Sequence, residues 1–559
     1  MKTISSILLA LALVASLGVG TAVSAQSGST TWYVVEGGAG DRTGVSLDEA
    51  FAGIQDAIDA ADDGDTIMVA SGKYDAFLVV GKTGISIIGA EGTTVGTAAW
   101  VSVERGPIVQ AWSMAAVKDS QHIDIQGIDF DGTALSQEEV VVGIAFVDST
   151  GTIADLSVEN VSGTELAAGV AIIGEAGTSV VTLGAVTVRE SMAGVIIWDA
   201  EANINGCTFS LMRPNGGFGV MGSGVGIVIG IPGEAWWGPS SVKVKGSTIS
   251  DNDDVGIYVC DHSLLVAGFN NIVGNEGLGV LNDGGQRVDA TYNWWGHASG
   301  PFHPTENVGG RGNAVSNDVD FLPWVAAGVV TRVVTDSTVD ARGEADTEVG
   351  VTGTATITVA KYPDNPADEA PPQFVTLGKH IDVYVPDTDQ VTEIEIRLYY
   401  TAAEVGDVGE AEQKFFRLLW WNGTEWVMCS DTGVDTTLDY IWAKVTRDTT
   451  PSLDDLEGTP FGGYAFSPGV PQPWCFIATA AYGTDTATEI DILREFRDVV
   501  LLPGRLGARF VSLYYATSPP LADFISQHEV LRTVLRAGLV DPIVAVLTWS
   551  QGLWLGTGS

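Results

Sequence analysis

Basic residues are scarce in this sequence. The 559 residues contain 27 lysines and arginines against 70 aspartates and glutamates, which gives a net charge of −43 at pH 7. A chain this acidic repels phosphate backbones, so we expect no nucleic-acid partner. Charged residues nevertheless make up only 17% of the chain and hydrophobic residues 45%. That balance excludes a disordered protein and predicts large hydrophobic cores.

Cysteine is also rare, with single residues at Cys207, Cys260, Cys429 and Cys475. They are far apart and show no Cys-x-x-Cys spacing, which argues against a zinc cluster. We expect buried thiols. An exported protein could instead pair two of them, and the sequence does not identify which two.

The first 25 residues have the pattern of a secretory signal. Lys2 gives the positive start, residues 7–18 are apolar, and Val23, Ser24 and Ala25 fit a small-residue cleavage site. The alternative is a membrane anchor that stays attached. The pattern predicts an extracellular or cell-surface protein with a signal peptide at residues 1–25.

Glycine, in contrast, is abundant, with 69 residues, and part of it is periodic. One recurring element is a short strand ending in glycine, at residues 85–89, 123–127, 202–206, 242–246 and 264–268. A second element is a glycine before a β-branched run, at Gly143, Gly169, Gly194, Gly226, Gly256 and Gly279. These glycines recur every 23 to 32 residues, and a period of this size indicates a repeat architecture.

Such coils bury their apolar residues only by stacking, with parallel strands paired from coil to coil. We expect glycine, and asparagines such as Asn252, Asn270 and Asn275, to supply the positive φ angles at the corners. The longer spacings predict an insertion at residues 211–239. The alternative is a β-sandwich of short strands.

A single helix is predicted at residues 46–61, where it would cap the first coil. Ser46 and Glu49 fit a capping box. Its apolar stripe consists of Phe51, Ile54, Ile58 and Ala61. An exposed solenoid end needs such a cover, because its strand edge would otherwise pair with other chains.

The start and the end of this region carry a family resemblance. Residues 64–67, 72–74 and 85–89 resemble the opening coils of pectate-lyase-like proteins. Residues 293–324, with Asn293-Trp294-Trp295-Gly296 and Phe321-Leu322-Pro323-Trp324, resemble the closing coils of exported β-helix repeat proteins. The resemblance implies a right-handed parallel β-helix over residues 26–326. It does not imply one activity, since this fold hosts lyases, hydrolases, epimerases, adhesins and non-catalytic surface proteins.

Two further domains are predicted after the repeats. Residues 327–466 alternate apolar and polar positions, which predicts a β-sandwich, and residues 467–474 form a proline-rich linker. Residues 475–559 begin with Cys475-Phe476-Ile477 and resemble the CFI-box C-terminal domain of exported prokaryotic proteins. The predicted fold class is therefore mainly β, with a small helical domain at the end.

The C-terminal resemblance implies sorting or attachment at the cell surface, with Cys475 as a candidate attachment point or, alternatively, a buried thiol. The apolar run at residues 543–555 is too short to span a membrane. It would fit a peripheral membrane contact, a contact with sorting machinery, or the last packed helix of a soluble domain.

Catalytic signatures of β-helix enzymes are missing. The polygalacturonase-type motifs are absent, and Asp261-His262 lacks the proline of the Asp-Pro-His epimerase pattern. A lyase needs a base, and a cation to neutralise the substrate carboxylate. The candidates for these roles are the scattered cations Arg189, Arg213 and Lys243.

Two other groups are candidate binding residues. Asp251, Asp253 and Asp254 form an acidic corner that could bind calcium, or simply a solvated turn. Trp236 and Trp237 lie in the insertion and could stack on sugar rings, or could pin the loop to the β-helix. No other cofactor is predicted.

Three functions remain open from the sequence. The first is a non-catalytic surface protein that binds polysaccharide or other envelope components. The second is an enzyme, a polysaccharide lyase acting on acidic glycans. The third is a structural part of an envelope layer that assembles with copies of itself. The missing catalytic signatures and the two additional domains favour the first.

Overall fold

The structure is a computed structural model. It describes residues 29–105, 108–135, 139–175, 177–214, 224–230, 238–260, 262–367, 374–405, 413, 416–466, 476–483, 488–501, 514 and 518–554. Strand residues make up 46% and helix residues 16%, which confirms the mainly-β prediction.

Parallel strands form three ladders in which each strand pairs with its counterpart in the next coil. The first ladder contains Thr31–Val34, Thr66–Val69, Ser86–Gly89, Ile123–Gln126, Thr150–Glu159, Ser179–Arg189, Ala200–Asn205, Ser241–Lys245, Leu264–Gly268, Val288–Asp289 and Val319–Asp320. The second contains Gly72–Tyr74, Thr93–Val95, Asp129–Asp131, the ends of Thr150–Glu159 and Ser179–Arg189, Thr208–Ser210, Thr248–Ser250 and Asn271–Val273.

The third ladder contains Phe77–Val80, Ile108–Lys118, Val140–Val147, Leu166–Ile173, Ala193–Trp198, Val225–Ile229, Ile257–Val259, Leu278–Asn282 and Ala314–Val315. Ala99–Arg105 pairs antiparallel with Ile108–Lys118, outside the stack. The repeated coils therefore form a parallel β-helix. Their parallel pairing excludes the alternative of a sandwich built from antiparallel hairpins.

Strand alternation directs every second side chain into one core. Ile87, Ile125, Ile153 and Leu183 stack in register on the first ladder and are fully buried. Their cluster is continuous along the stacked coils, from Val34 to Phe321. No single coil buries these residues by itself, so adding coils extends one core.

The corner asparagines have a different role from the one predicted. Positive φ belongs to the preceding residues, for example Asp251 (55°) before Asn252. Asn252 is fully buried, and its side-chain amide donates to Asn275 Oδ1 at 2.8 Å. Asn275 donates in turn to Asn313 Oδ1 at 3.1 Å. A matching series joins Asn270 to Asn293. Asparagine is used here because its amide satisfies buried polar groups of neighbouring coils.

The two sets of recurring glycines are required for different physical reasons. Gly127, Gly206 and Gly246 lie at the first-to-second ladder corner and have φ near +65°, as predicted. The second column runs from Gly143 to Gly279 within the third ladder, and its φ angles are not positive. A Cβ on Gly143, Gly194, Gly226 or Gly256 would collide with a carbonyl oxygen of the next coil's glycine, and a Cβ on Gly169 would collide with the side chain of Val188. Close backbone approach, rather than φ, therefore requires glycine in the second column.

The predicted helix at residues 46–61 is wrong in its first half. Leu47–Glu49 is a single 3-10 turn, and the α-helix is only Ile54–Ala60. Ser46 makes no side-chain cap, and Glu49 instead accepts a hydrogen bond from Thr43. Phe51 interrupts the helix because its backbone pairs with Tyr33.

The short helix still covers the first coil. Ile54 and Ile58 are buried in the main core. Asp65 closes the same end by accepting bonds from Thr30 N (2.6 Å), Trp32 Nε1 (2.8 Å) and Asp62 N (2.9 Å). Burial raises the pKa of Asp65, but these hydrogen bonds outweigh it and leave the pKa below its usual value.

Contacts divide the chain into two compact units, and the first extends beyond the β-helix through residue 366, with residues 380–394 and 456–458. After the coils, Thr347–Lys361 pairs antiparallel with Val330–Thr335, with Thr338–Ala341 and with the end of Phe374–Tyr384. Arg342–Ala345 is a short helix. The antiparallel pairing agrees with the predicted β-rich region, whose bounds at 327–466 stay a prediction.

A buried carboxyl lies where these strands meet the β-helix. Asp382 is 1% exposed, and one oxygen accepts a 2.7 Å bond from Tyr362 Oη. The other oxygen has no hydrogen-bond partner among the described residues. Tyr362 packs edge-on against Phe269 and Tyr292 of the coil corners. Burial raises the pKa of Asp382 to about 7, against the opposing influence of Tyr362 and Lys245.

The second unit contains residues 367–379, 395–455 and 459–559. Its strands include Arg417–Trp421, paired with Trp426–Met428 and Pro460–Phe466, and Thr432–Asp435, paired with Tyr440–Val445. Val391–Tyr399 crosses the boundary between the units. Ala402–Val405 is a short helix and Leu453–Asp455 a 3-10 turn.

The end of the second unit is helical, as predicted. Its α-helices are Phe476–Tyr482, Thr488–Phe496, Pro519–Ser526, Glu529–Leu535 and Asp541–Trp554, with π-turns at Arg497–Leu501 and Arg536–Val540. Ala480, Ala522 and Ile525 pack with Phe374 and Met428 of the strands. These helices therefore share a core with the strands. The predicted linker at residues 467–474 lies outside the described residues, and the separate C-terminal domain stays a prediction. No helix in the described part of the chain is long and apolar enough to cross a membrane.

Replacing Ile54 with aspartate should open the capped end of the β-helix. Ile54 is 1% exposed, and burying an unpaired carboxylate there should cost about 3 kcal/mol or more. We expect a lower melting temperature and more aggregation. Ala60→Asp, which adds the same charge to the exposed side of this helix, is the control. Equal melting temperatures for the two variants would contradict the capping role.

The raised pKa of Asp382 predicts a loss of stability as pH rises. Below about pH 4 the carboxyl is protonated in both states. Between there and about pH 7 it ionises only in the unfolded chain, so stability falls by on the order of 4 kcal/mol and then levels off. Urea unfolding of Asp382→Asn should show a weaker decline between about pH 4 and pH 7. Asp389→Asn, on the exposed turn, should decline like the parent. Parallel curves for all three proteins would contradict this assignment.

Candidate functional site

A cleft of about 320 Å³ lies within the first unit, where the strand Val330–Thr335 runs beside the β-helix. Its lining is predominantly polar. It is lined by Gly206, Cys207, Thr208, Gly246, Thr248, Asn271, Gly328, Val329, Val330, Thr331, Arg332 and Glu344. The volume suits a small ligand or one or two residues of a polymer.

The β-helix supplies one wall. Thr208, Thr248 and Asn271 occupy the same register position in three successive coils of the second ladder. Their side chains point outward, because the intervening Phe209, Ile249 and Ile272 point into the core. The wall is therefore a column of hydroxyl and amide groups spaced by the coil repeat of ~4.8 Å.

The other wall is held in place by glycines and an amide. Gly206 and Gly246 let the neighbouring strands come close, since a Cβ on Gly246 would collide with Thr358 Oγ1. Asn271 bonds both backbone groups of Val329, with its Oδ1 accepting at 2.8 Å and its Nδ2 donating at 2.8 Å. These bonds fix the start of the strand that carries Arg332.

Arg332 and Glu344 give the cleft one charge of each sign, and both are exposed. Arginine donates in a planar fork and a carboxylate accepts at two oxygens, so both recognise pairs of hydroxyl groups. Together with the threonines they form a site suited to binding a polyhydroxylated ligand. The described residues contain no group of three His, Cys, Asp or Glu side chains able to hold a metal ion.

The three cations predicted from the sequence are not brought together. Arg189 ends its strand in the second ladder and pairs with Glu159 of the preceding coil at 2.7 Å. Arg213 pairs with Asp253 of the next coil. Lys243 lies on the outer face of the first ladder, in register with Thr182. The strand Ser179–Arg189 turns at Ala185 (φ 53°), which places Thr182 on the first ladder and Arg189 on the second. Lys243 and Arg189 therefore lie on different faces of the β-helix.

The acidic corner is also dispersed. Asp253 is engaged by Arg213, and Asp251 holds the corner with φ of 55°. Asp254 as a whole residue is exposed, but its carboxyl group is partly buried, and this burial raises the pKa of Asp254. Calcium favours six to eight oxygens around one point, and these three carboxylates do not form a compact group of that kind within the described chain.

The outer face of the first ladder carries a polar column that sequence reasoning missed. Asp124, Thr152, Thr182, Asn203 and Lys243 are in register in successive coils. Partial desolvation raises the pKa of Asp124, although hydrogen bonds from Thr152 and Ser86 oppose it. Counting outward positions of the repeated strands would have found this column.

The remaining predicted residues have varied outcomes. Trp236, Trp237, Cys475 and the signal segment at residues 1–25 lie outside the described residues. Cys207, Cys260 and Cys429 are buried thiols not joined in a disulfide, as expected. Burial raises the pKa of Cys207 to about 12, which keeps it unreactive.

Comparisons with known proteins give only distant likenesses. No family model and no curated protein matches the sequence. Pectate lyase Pel9A aligns over 54% of this chain and 80% of its own, at 11% identity and a TM-score of 0.33. Rhamnogalacturonan lyase aligns over 47% and 76%, at 14% and 0.29. The enzymatically active domain of bacteriophage CBA120 tailspike protein 2 aligns over 74% and 78%, at 12% and 0.29. At these scores the fold assignment rests on the strand pairing of this chain itself.

Proposed function

We propose that this protein is an exported β-helix protein of the cell surface that binds polysaccharide without cleaving it. The observation that carries the proposal is the polar cleft beside the second ladder. It offers hydroxyl, amide, guanidinium and carboxylate groups, which match the alternating donors and acceptors of a sugar. The coil repeat presents equivalent groups one after another, as a polymeric ligand requires.

The binding role is favoured over catalysis by the dispersion of the candidate cations. Arg189 and Arg213 are each neutralised by a carboxylate of a neighbouring coil. A lyase needs its base and its cation within hydrogen-bonding reach of the same sugar residue. Arg189 and Lys243 lie on different ladders of the β-helix.

Surface location is part of the proposal. It is supported by the signal-like residues 1–25 and by the excess of acidic residues. We further propose that the CFI-box-like residues 475–559 serve sorting or attachment, through Cys475 or through a peripheral contact with the envelope. A culture producing the Cys475→Ser protein should release more of it than a culture of the parent if the thiol attaches the protein.

Titration calorimetry with neutral and uronate-containing polysaccharides tests the binding role. Arg332→Ala and Glu344→Gln should each weaken binding by about 10-fold or more, because each removes a charged hydrogen-bonding partner. Arg311→Ala, an exposed arginine outside the cleft, is the matched control. If the two cleft variants bind polysaccharide as tightly as the parent does, the cleft is not the binding site. Appearance of unsaturated products in ultraviolet absorbance would establish the lyase alternative instead.

Calcium binding at Asp251, Asp253 and Asp254 stays a separate proposal. An ion that binds only the folded chain raises the melting temperature by mass action. Since Asp253 is engaged by Arg213, we expect an increase of no more than a few degrees at millimolar calcium. Replacement of all three with asparagine should abolish it. If the melting temperature of the parent protein does not change with calcium, the protein has no such site.

A further inference from the structure

The last helices of the chain expose an apolar face. Glu529–Leu535, the π-turn Arg536–Val540 and Asp541–Trp554 follow one another without a break, because the residues at both junctions keep helical angles. The large exposed apolar residues of this continuous helical segment are Val530, Val534, Leu539, Ile543, Val546 and Trp549. We call these six residues the C-terminal stripe. Trp549 is 84% exposed and Val530 79%.

The spacing of these residues places them on one face. Successive members are four, five, four, three and three residues apart, which is 19 residues in total. The five-residue step spans the π-turn, where one extra residue is inserted into the helix. The remaining 18 residues make five helical turns of about 3.6 residues each. The π-turn therefore keeps the C-terminal stripe continuous over roughly 28 Å.

Other apolar residues of the same helices already belong to the core of the second unit. Leu531 and Leu535 pack with Ala522 and Ile525. Val540 and Val544 pack with Ile490. A helix that is apolar on both faces is normally covered on both. Among the described residues of its own unit, the C-terminal stripe therefore has no partner.

We propose that the C-terminal stripe is the surface through which two copies of this chain associate. With exposed fractions between 44% and 84%, the six residues expose on the order of 700 Å². This area is close to the ~800 Å² per partner of a standard protein interface and above the largest apolar patch of a typical monomer. Two stripes meeting about a two-fold axis are self-complementary, since each presents the same straight row to the other.

Charge also favours a second copy over a lipid surface. Residues 475–559 carry eight acidic residues and six arginines, so they hold only −2 of the net −43. Copies of so acidic a chain can approach each other most readily where neither surface is charged. Interfacial membrane helices, by contrast, carry lysines and arginines on the flanks. Here Arg536 lies over the Tyr482 ring at 4.6 Å, near Asp541, and Arg532 is only partly exposed.

Sedimentation equilibrium of the full chain tests this proposal. We expect a dimer, and we expect Val546→Glu to raise its dissociation constant at least about 30-fold by placing a charge in the interface. Val530→Glu, at the other end of the stripe, should act in the same direction. Val308→Glu is the matched control, since Val308 is 66% exposed and Val546 63%, and it should leave the dimer intact. Circular dichroism checks that all variants remain folded.

The proposal fails in either of two cases. A parent that sediments as a monomer at every concentration has no self-association to explain. A Val546→Glu protein that dimerises like the parent associates through another surface. Monomers that bind phosphatidylcholine vesicles through the same residues would identify lipid as the occupant and overturn the proposal. These readouts measure mass and vesicle binding, so they are independent of the polysaccharide-binding role.

Discussion

The register between successive coils is the constraint on which the rest of this structure depends. Strand side chains alternate with a period of two, so a slip of one residue would turn the core outward in every later coil. The inward isoleucines and valines resist such a slip, and so do the buried asparagine series, because Asn252, Asn275 and Asn313 bond only in the observed alignment. The same register sets Thr208, Thr248 and Asn271 in the column that forms the cleft wall.

Acidic composition combined with this register explains why several arginines of the β-helix are paired with carboxylates. Acidic residues outnumber basic residues by 70 to 27 in the chain, and three outward arginines each meet an acidic residue one coil away. Arg189 pairs with Glu159, Arg213 with Asp253 and Arg287 with Asp320. Exposed pairs of this kind add little stability. They do neutralise the cations that an acidic substrate would need, and the net charge of −43 further disfavours such a substrate.

Sequence reasoning found the features that repeat and missed those that depend on distant residues. Glycine spacing predicted the coils because every coil must turn at similar positions. It gave the wrong cause for Gly194 and Asn252, since close backbone approach and buried amide pairing are invisible in a single strand. The helix at residues 46–61 was predicted too long because Phe51 fits its apolar stripe, yet pairs with Tyr33 instead.

The cleft could not be predicted for a related reason. Thr208, Thr248 and Arg332 come from three separate parts of the chain and carry no motif, so only the fold unites them. Trp236 and Trp237 attracted attention because they are aromatic neighbours. A threonine column gives no comparable signal until the strands have been aligned. Single-sequence patterns therefore favour conspicuous residues over those made adjacent by stacking.

The cleft and the buried Asp382 belong to one packing arrangement. Val329 lines the cleft and also packs in the cluster that contains Phe269 and Tyr362. Tyr362 in turn donates its hydroxyl to Asp382. Ionisation of that carboxyl weakens the attachment of the strands that form one wall of the cleft. A ligand that bridges both walls favours the attached state, in which the Asp382 carboxyl is protonated, so by linkage its affinity must fall as pH rises through about 7. The packing around Asp382 therefore couples the stability of the first unit to the binding of a ligand in the cleft.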